Sequence, residues 1–181
     1  DLVQNAENYD SSNKIVLSGT SLFSNSASDP EGVIDDAKNA ISGKIAQEPN
    51  TMVMGYGAFK DLKKHPKLRE LVSTSKTRII TLDLMKEIFD VENIVVGKAV
   101  FVNEKNEFVR VWGNNLVLAY VPKLDSRTEY DPSFAYTVKK KDSLKIDEYT
   151  KEGNKVKYIR ATDIYTPFLV GPDAGYLIKN S

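Results

Sequence analysis

The tripeptide Asp29-Pro30-Glu31 and the apolar pattern behind it constrain this chain more than any other local feature. Asp is a favoured N-cap, Pro is pre-organised for the first helical position, and Glu complements the positive end of a helix dipole. Behind them, Val33, Ile34, Ala37, Ala40, Ile41 and Ile45 recur at helical spacing and form one stripe. Asp35, Asp36, Lys38 and Asn39 fall largely on the other side. The spacing predicts a helix from Pro30 to about Ala46 that ends before Pro49, which cannot continue it. Burying one of its Ile or Val side chains contributes roughly 1.5–3 kcal/mol, so packing holds this helix more than propensity does.

Downstream, the run from Thr51 to Gly55 reads as a short buried strand. Tyr56 to Lys64 reads as a helix with Ala58, Phe59 and Leu62 inward, ended or restarted by Pro66. Leu82 to Phe89 reads as a helix capped by Thr81, with Met85, Ile88 and Phe89 on one side. The period then switches to strands over 93–96, 98–102, 108–112 and 116–121, separated by turn residues. The turn at Gly113 predicts that the last two of these form a hairpin. After Pro122 a polar linker leads to clean alternation, with Phe134, Tyr136 and Val138 on one face, which predicts a half-exposed antiparallel sheet. The stretch from Leu144 to Thr150 is expected to continue that sheet. Glu152-Gly153-Asn154 reads as a turn into a long strand starting at Lys155, with a bulge or change of partner near Ile159-Arg160. Residues 1–29 are rich in Ser and Asn and are expected to be a loosely held, partly flexible lead-in with one strand at most.

Charge and composition exclude much chemistry. The 181 residues hold 25 Lys+Arg against 25 Asp+Glu, one His and no Cys. That removes disulfides, thiolate nucleophiles, iron-sulfur sites and Cys-based zinc sites, and most His-based metal sites. Tight nucleic-acid binding needs an excess of cations over phosphates, so any contact with DNA is expected to be weak. No apolar run approaches the 18 to 20 or so residues that span a bilayer, and the polar start DLVQNAENYD has no signal-peptide pattern. The absence of a starting Met suggests a fragment or a processed product.

No catalytic constellation emerges. His65, in KKHPK at a helix end, is read as structural because the helix dipole favours it there and no nucleophile motif accompanies it. Asp35-Asp36 and Asp147-Glu148 are adjacent in sequence, point apart, and read as solvated faces. Gly55-Tyr56-Gly57 lies between a strand and a helix, as in phosphate loops, but lacks the rest of any such motif; tight turning is the expected role of both glycines. Two local basic clusters stand out, Lys60, Lys63, Lys64, Lys67 and Arg69, and Lys139, Lys140 and Lys141. They are candidate contacts with a neighbouring subunit or with DNA. No cofactor and no metal site is expected, and binding or assembly is the better functional class. The rival readings are a small α/β enzyme acting near Gly55 to Phe59 and His65, and a binding module that uses the face from Lys60 to Arg69.

Four blocks in order resemble the major capsid proteins of tailed bacteriophages and prophages. VLSGTSLFSNSASDPEGVIDDAKNAI is similar to a segment with an LSG turn and an S-D-P helix start. NTMVMGYGAFKDLKKHPKLRELV resembles an "N-T-x-V-M-G, aromatic, L-x-x-HP-K" block. LMKEIFDVENIVVGKAVF with VWGNNLVLAYVP, and then PSFAYTV with PDAGYLIKN, resemble the two later signatures.

The resemblance implies the α+β capsid fold shared with herpesvirus and encapsulin shells: a long spine helix, a peripheral antiparallel sheet and a mixed α/β axial domain. It implies a lead-in over 1–29, a spine helix of the peripheral domain over 30–49, an axial domain over 50–122, peripheral-domain strands over 123–169 and a C-terminal return strand over 170–181. It also implies an N-terminally truncated subunit, because family members carry an arm and an extended loop before the spine helix. The implied function is structural, not enzymatic: self-assembly into capsomers and an icosahedral shell around double-stranded DNA, with scaffold or portal proteins as further partners and no membrane. The implied location is the virion capsid, assembled in the host cytoplasm. An encapsulin-type compartment shell is the alternative within the fold.

Overall fold

The computed structural model describes residues 2–72, 79–123, 128, 130–142, 144–151 and 156–180. The expected turn at 152–154 and the start at Lys155 lie outside the described residues.

The predicted helix forms as α1 (Pro30–Ile45) and stops when Ala46 turns left-handed, at φ 53°, with its N–H bonded to the Ser42 carbonyl. Asp29 holds the N-cap position without a capping hydrogen bond from its side chain; its carboxylate lies 3.6 Å from the Lys67 ammonium instead. Next come β2 (Thr51–Gly55), α2 (Tyr56–Lys64), α3 (Pro66–Leu71) and α4 (Leu82–Phe89). In α4 the Thr81 hydroxyl accepts from the Leu84 N–H, as its sequence predicts.

A five-stranded mixed sheet takes strands from distant parts of the chain: β1 (Lys14–Leu17), β2, β3 (Asn93–Gly97), β6 (Leu116–Ala119) and β11 (Gly175–Asn180). Their order is β1-β11-β6-β2-β3, with β1 parallel to β11, β2 parallel to β3, and β6 antiparallel to both β2 and β11. One face meets α1, α2 and α4, where Ile34, Ile41, Met52, Leu62, Met85, Phe89, Leu118 and Ile178 share a core. The other face buries Val117, Ala119 and Leu177 against Tyr9, Phe134 and Ala174. Helix α1 therefore shares a core with β2, β3 and β6.

Three expectations are corrected. The strands at 108–112 and 116–121 do not form a hairpin. β5 (Phe108–Arg110) pairs with β4 (Val100–Val102), and β6 is a central strand buried on both faces. Leu116-Val117-Leu118-Ala119 is a continuous apolar run, and such a run needs cover on both sides, which a two-stranded hairpin does not give. Residues 2–29 are not a loose lead-in: Tyr9, Asn13, Leu17 and Phe23 are buried, and β1 is a strand of the main sheet. Buried side-chain amides replace an apolar pattern there. The Asn13 amide donates to the carbonyls of Asp173 and Gly175 at 3.2 and 2.9 Å, and the Lys14 ammonium donates to those of Ala6 and Tyr9.

The third correction concerns 135–169. The expected antiparallel strands form, but as two-stranded pairs, so among the described residues the stretch from Leu144 to Thr150 adds no strand beside the pair that holds 135–139. β7 (Ala135–Lys139) pairs with β10 (Tyr165–Leu169), and inside that pair β8 (Lys145–Lys151) pairs with β9 (Val156–Thr162), all antiparallel. The nested pairs make one two-stranded ribbon. Lys139 pairs with Tyr165 in one ladder and Lys145 with Thr162 in the other, which shifts the register between the two. β9 runs in register through Ile159 and Arg160, opposite Glu148 and Asp147, so the bulge expected there is absent. The alternation of β9 breaks because neither of its faces is buried.

Candidate self-association surfaces

The ribbon is tied to the body at its base. Phe134 is buried and stacks on Tyr9 with ring centroids 5.6 Å apart, and its carbonyl accepts the N–H groups of Val170 and Gly171. Beyond the base, side chains are solvent-facing. Val138, Ile146, Tyr149, Ile159, Tyr165 and Phe168 are each at least half exposed, Ile146 and Ile159 reaching 66%. Cross-strand contacts fix the shape of the ribbon without hiding it. Tyr149 and Tyr158 stack at 5.1 Å, Arg160 pairs with Asp147 at 2.8 Å, and Lys157 reaches Glu148 at 2.6 Å. The hydrogen bond it donates to Asp147, and then the charge of that carboxylate, raise the Arg160 guanidinium above its ordinary range.

The β4–β5 hairpin repeats the design on a smaller scale. Its turn is built by Asn103, whose side-chain oxygen accepts from the N–H groups of Lys105 and Glu107 at 3.0 and 2.9 Å, with Asn106 at φ 61°. Arg110 anchors it to the body by lying 4.2 Å from the Tyr56 ring centroid. Val100, Phe101 and Val102 are about half exposed, and Phe108 is 80% exposed. An isolated two-stranded hairpin is marginally stable in water, and contiguous exposed apolar surface marks an interaction site.

These residues carry the candidate site, and none of them is among the candidate contacts that charge marks in the sequence. The available signal was that both faces of 100–102 and 108–110 are apolar although the connecting turn, NEKNE, forces them into a hairpin.

The residues singled out from sequence fall into two groups. Lys60, Lys63 and Lys64 lie on α2, with Lys67 and Arg69 on α3. All are exposed except Lys63, which is half-buried with its ammonium 5.9 Å from the Phe59 ring centroid. Lys139 ends β7 and pairs with Asp163 at 2.9 Å, and Lys140 and Lys141 follow it, exposed, where the ribbon changes register. No hydrogen bond or ion pair joins the two groups among the described residues.

His65 is 98% hidden from solvent and fastens the lead-in to the α2–α3 corner. Its Nε2 lies 3.0 Å from the Asn25 carbonyl, which can only accept, so Nε2 carries the proton and also meets the Ser28 hydroxyl at 3.1 Å. Gly55 and Gly57 serve close approach rather than tight turning: a Cβ on Gly55 would collide with the Gly113 carbonyl, and one on Gly57 with the Asn114 side chain. Among the described residues no group of three His, Cys, Asp or Glu is placed to hold a metal ion, and no helix is long and apolar enough to cross a membrane.

Comparison with known proteins agrees with this geometry. The chain is 49% identical over 99% of its length to the major capsid protein of Burkholderia phage BcepMu, and spans 59% of that protein. A phage-related protein from Bordetella bronchiseptica RB50 superposes with a TM-score of 0.92 at 32% identity, over 99% of this chain and 60% of that one. The virus-like particle protein of Pyrococcus furiosus shares the fold, with a TM-score of 0.55 at 17% identity over 92% of this chain and 55% of that one. The chain thus spans somewhat over half the length of the relatives it matches. The model of the family described as phage major capsid protein E matches residues 8–143, well over half of the sequence, and the chain belongs to that family.

Proposed function

We propose that this chain supplies the body and a projecting ribbon of the shell-forming subunit of a phage or prophage head. The subunit self-associates into capsomers and then into an icosahedral shell around double-stranded DNA. The observation that carries this is the contrast between a thoroughly buried two-faced core and two hairpins that leave much of their apolar surface exposed. Such a distribution suits many modest contacts made cooperative by symmetry, not one reactive centre.

In the shell, α1 is the spine of the peripheral domain, residues 50–122 form the axial domain near the capsomer centre, and the ribbon from 135 to 169 belongs to the periphery. Lys140 and Lys141, unpaired among the described residues, touch packaged DNA only weakly, as the zero net charge of the chain favours. Scaffold and portal proteins are further partners. The site of action is the virion capsid, with assembly in the host cytoplasm. The test is electron microscopy and sizing of the protein as its gene encodes it. Capsomers or closed particles are expected, and a strictly monomeric protein under all conditions contradicts the proposal.

A further inference from the structure

The zero net charge conceals a separation of charge. Residues 56–72 carry Lys60, Lys63, Lys64, Lys67 and Arg69 against Asp61 and Glu70. Residues 82–92 carry Asp83, Glu87, Asp90 and Glu92 against Lys86 alone. No ion pair joins the two segments among the described residues. Lys67 reaches back to Asp29, while Asp83, Asp90 and Glu92 take Lys86, Lys38 and Lys123. Lys60, Lys64, Arg69 and Glu87 form no ion pair among the described residues and are exposed. The acidic segment borders two open grooves of 450 and 540 Å³ that share Glu92, the first also lined by Asp83, Glu87 and Asp90 with Lys86, the second by Glu48 and Asp131 with Lys123.

We propose that the basic outer face of α2 and α3 docks against the acidic rim formed by α4 and residues 90–92, which lead into β3, in a second copy of this chain. The contact is head-to-tail: each subunit offers its basic face to one neighbour and its acidic rim to the other. A contact of this kind closes into a ring when the rotation between subunits allows. It deepens the shell assignment made above and rests on it. Charge complementarity selects the second copy as occupant. The two faces are opposite in sign and similar in number of charges, whereas Asp61 and Glu70 within the basic face disfavour a polyanion. Attraction between opposed faces steers encounter and fixes orientation, and it weakens as salt shortens the screening length.

The experiment uses the protein as its gene encodes it, with assembly read by sizing and electron microscopy. Lys60→Glu with Lys64→Glu, and separately Glu87→Lys with Glu92→Lys, are each expected to lower capsomer yield about tenfold or more. Each pair changes exposed side chains only, so the melting temperature is expected to stay near that of the unaltered protein. The chain carrying all four reversals restores opposite signs and is expected to recover assembly. Raising salt is expected to weaken assembly of the unaltered protein and of the fourfold variant alike. If the reversals assemble as well as the unaltered protein, this contact is wrong while the shell assignment stands. If the reversals assemble normally but enclose less DNA, the basic face belongs to DNA and the proposal is likewise overturned. If the unaltered protein never assembles, the shell assignment itself fails, and this contact with it.

Discussion

The side-chain oxygen of Asn180 accepts the backbone N–H of Phe23 at 3.0 Å, so the end of β11, an inner strand of the main sheet, holds the segment that leads into α1. Both residues are buried. Asn180→Ala leaves that N–H without a partner inside the core, which costs about 1–3 kcal/mol. A lower denaturant midpoint with an unchanged slope is the expected result. An unchanged midpoint would show that the lead-in is not held this way.

Tyr9 makes stability fall at alkaline pH. Burial raises its phenol well above the ordinary 10.0, and burial, then the Asp36 carboxylate, raise that of Tyr176. Both groups hold their protons in the folded chain at a pH where the unfolded chain has begun to lose them. Their contribution is therefore complete below pH 10.0 and is lost as pH rises through the folded values. Tyr9→Phe removes one titrating group and also the hydrogen bond to the Val3 carbonyl at 2.7 Å. The variant is expected to be about 0.5–1.5 kcal/mol less stable at neutral pH. Its stability is also expected to decline less steeply above pH 10.0, as followed by denaturation at a series of pH values. A decline as steep as in the unaltered protein would contradict this.

Two glycine substitutions are expected to act in opposite directions. Gly55→Ala forces the segment around Gly113 away from the start of α2, because the new Cβ meets the Gly113 backbone. Overpacking of this kind costs about 1–3 kcal/mol. Gly43 lies within α1 with open space around it, and Gly43→Ala is expected to stabilise by about 0.5–1 kcal/mol through helix propensity. Thermal melting of the two variants checks both signs.

The parts of the fold legible in sequence are those set by local chemistry. The start of α1 at Pro30, β2 at Thr51 to Gly55, the break at Pro66 and the cap at Thr81 follow from caps, prolines and periodicity, and all are present. The misreadings arose where a strand's partner lies far along the chain. Leu116 to Ala119 pairs with Thr51 to Met54 and with Gly175 to Ile178, and no local turn announces either pairing. Asn13 looks like a loop residue, yet its amide is fully buried 160 residues from one of its partners. The candidate surfaces were hidden for a different reason. Ile146, Ile159 and Phe108 have the composition of core residues, and only their placement on two-stranded hairpins exposes them. The lysines drew notice because charge is visible in a sequence, whereas exposed apolar surface is visible only once the pairing is known.

The most direct test of the central claim is particle yield from a protein whose ribbon has lost its apolar surface. Ile146→Lys, Ile159→Lys and Phe168→Lys, combined in the protein as its gene encodes it, replace side chains that are exposed within the subunit. The body should fold with its melting temperature nearly unchanged, while closed particles seen by electron microscopy fall to a small fraction of those formed by the unaltered protein. Particles of normal number and size from the substituted protein would contradict the assignment of the ribbon to contacts between subunits.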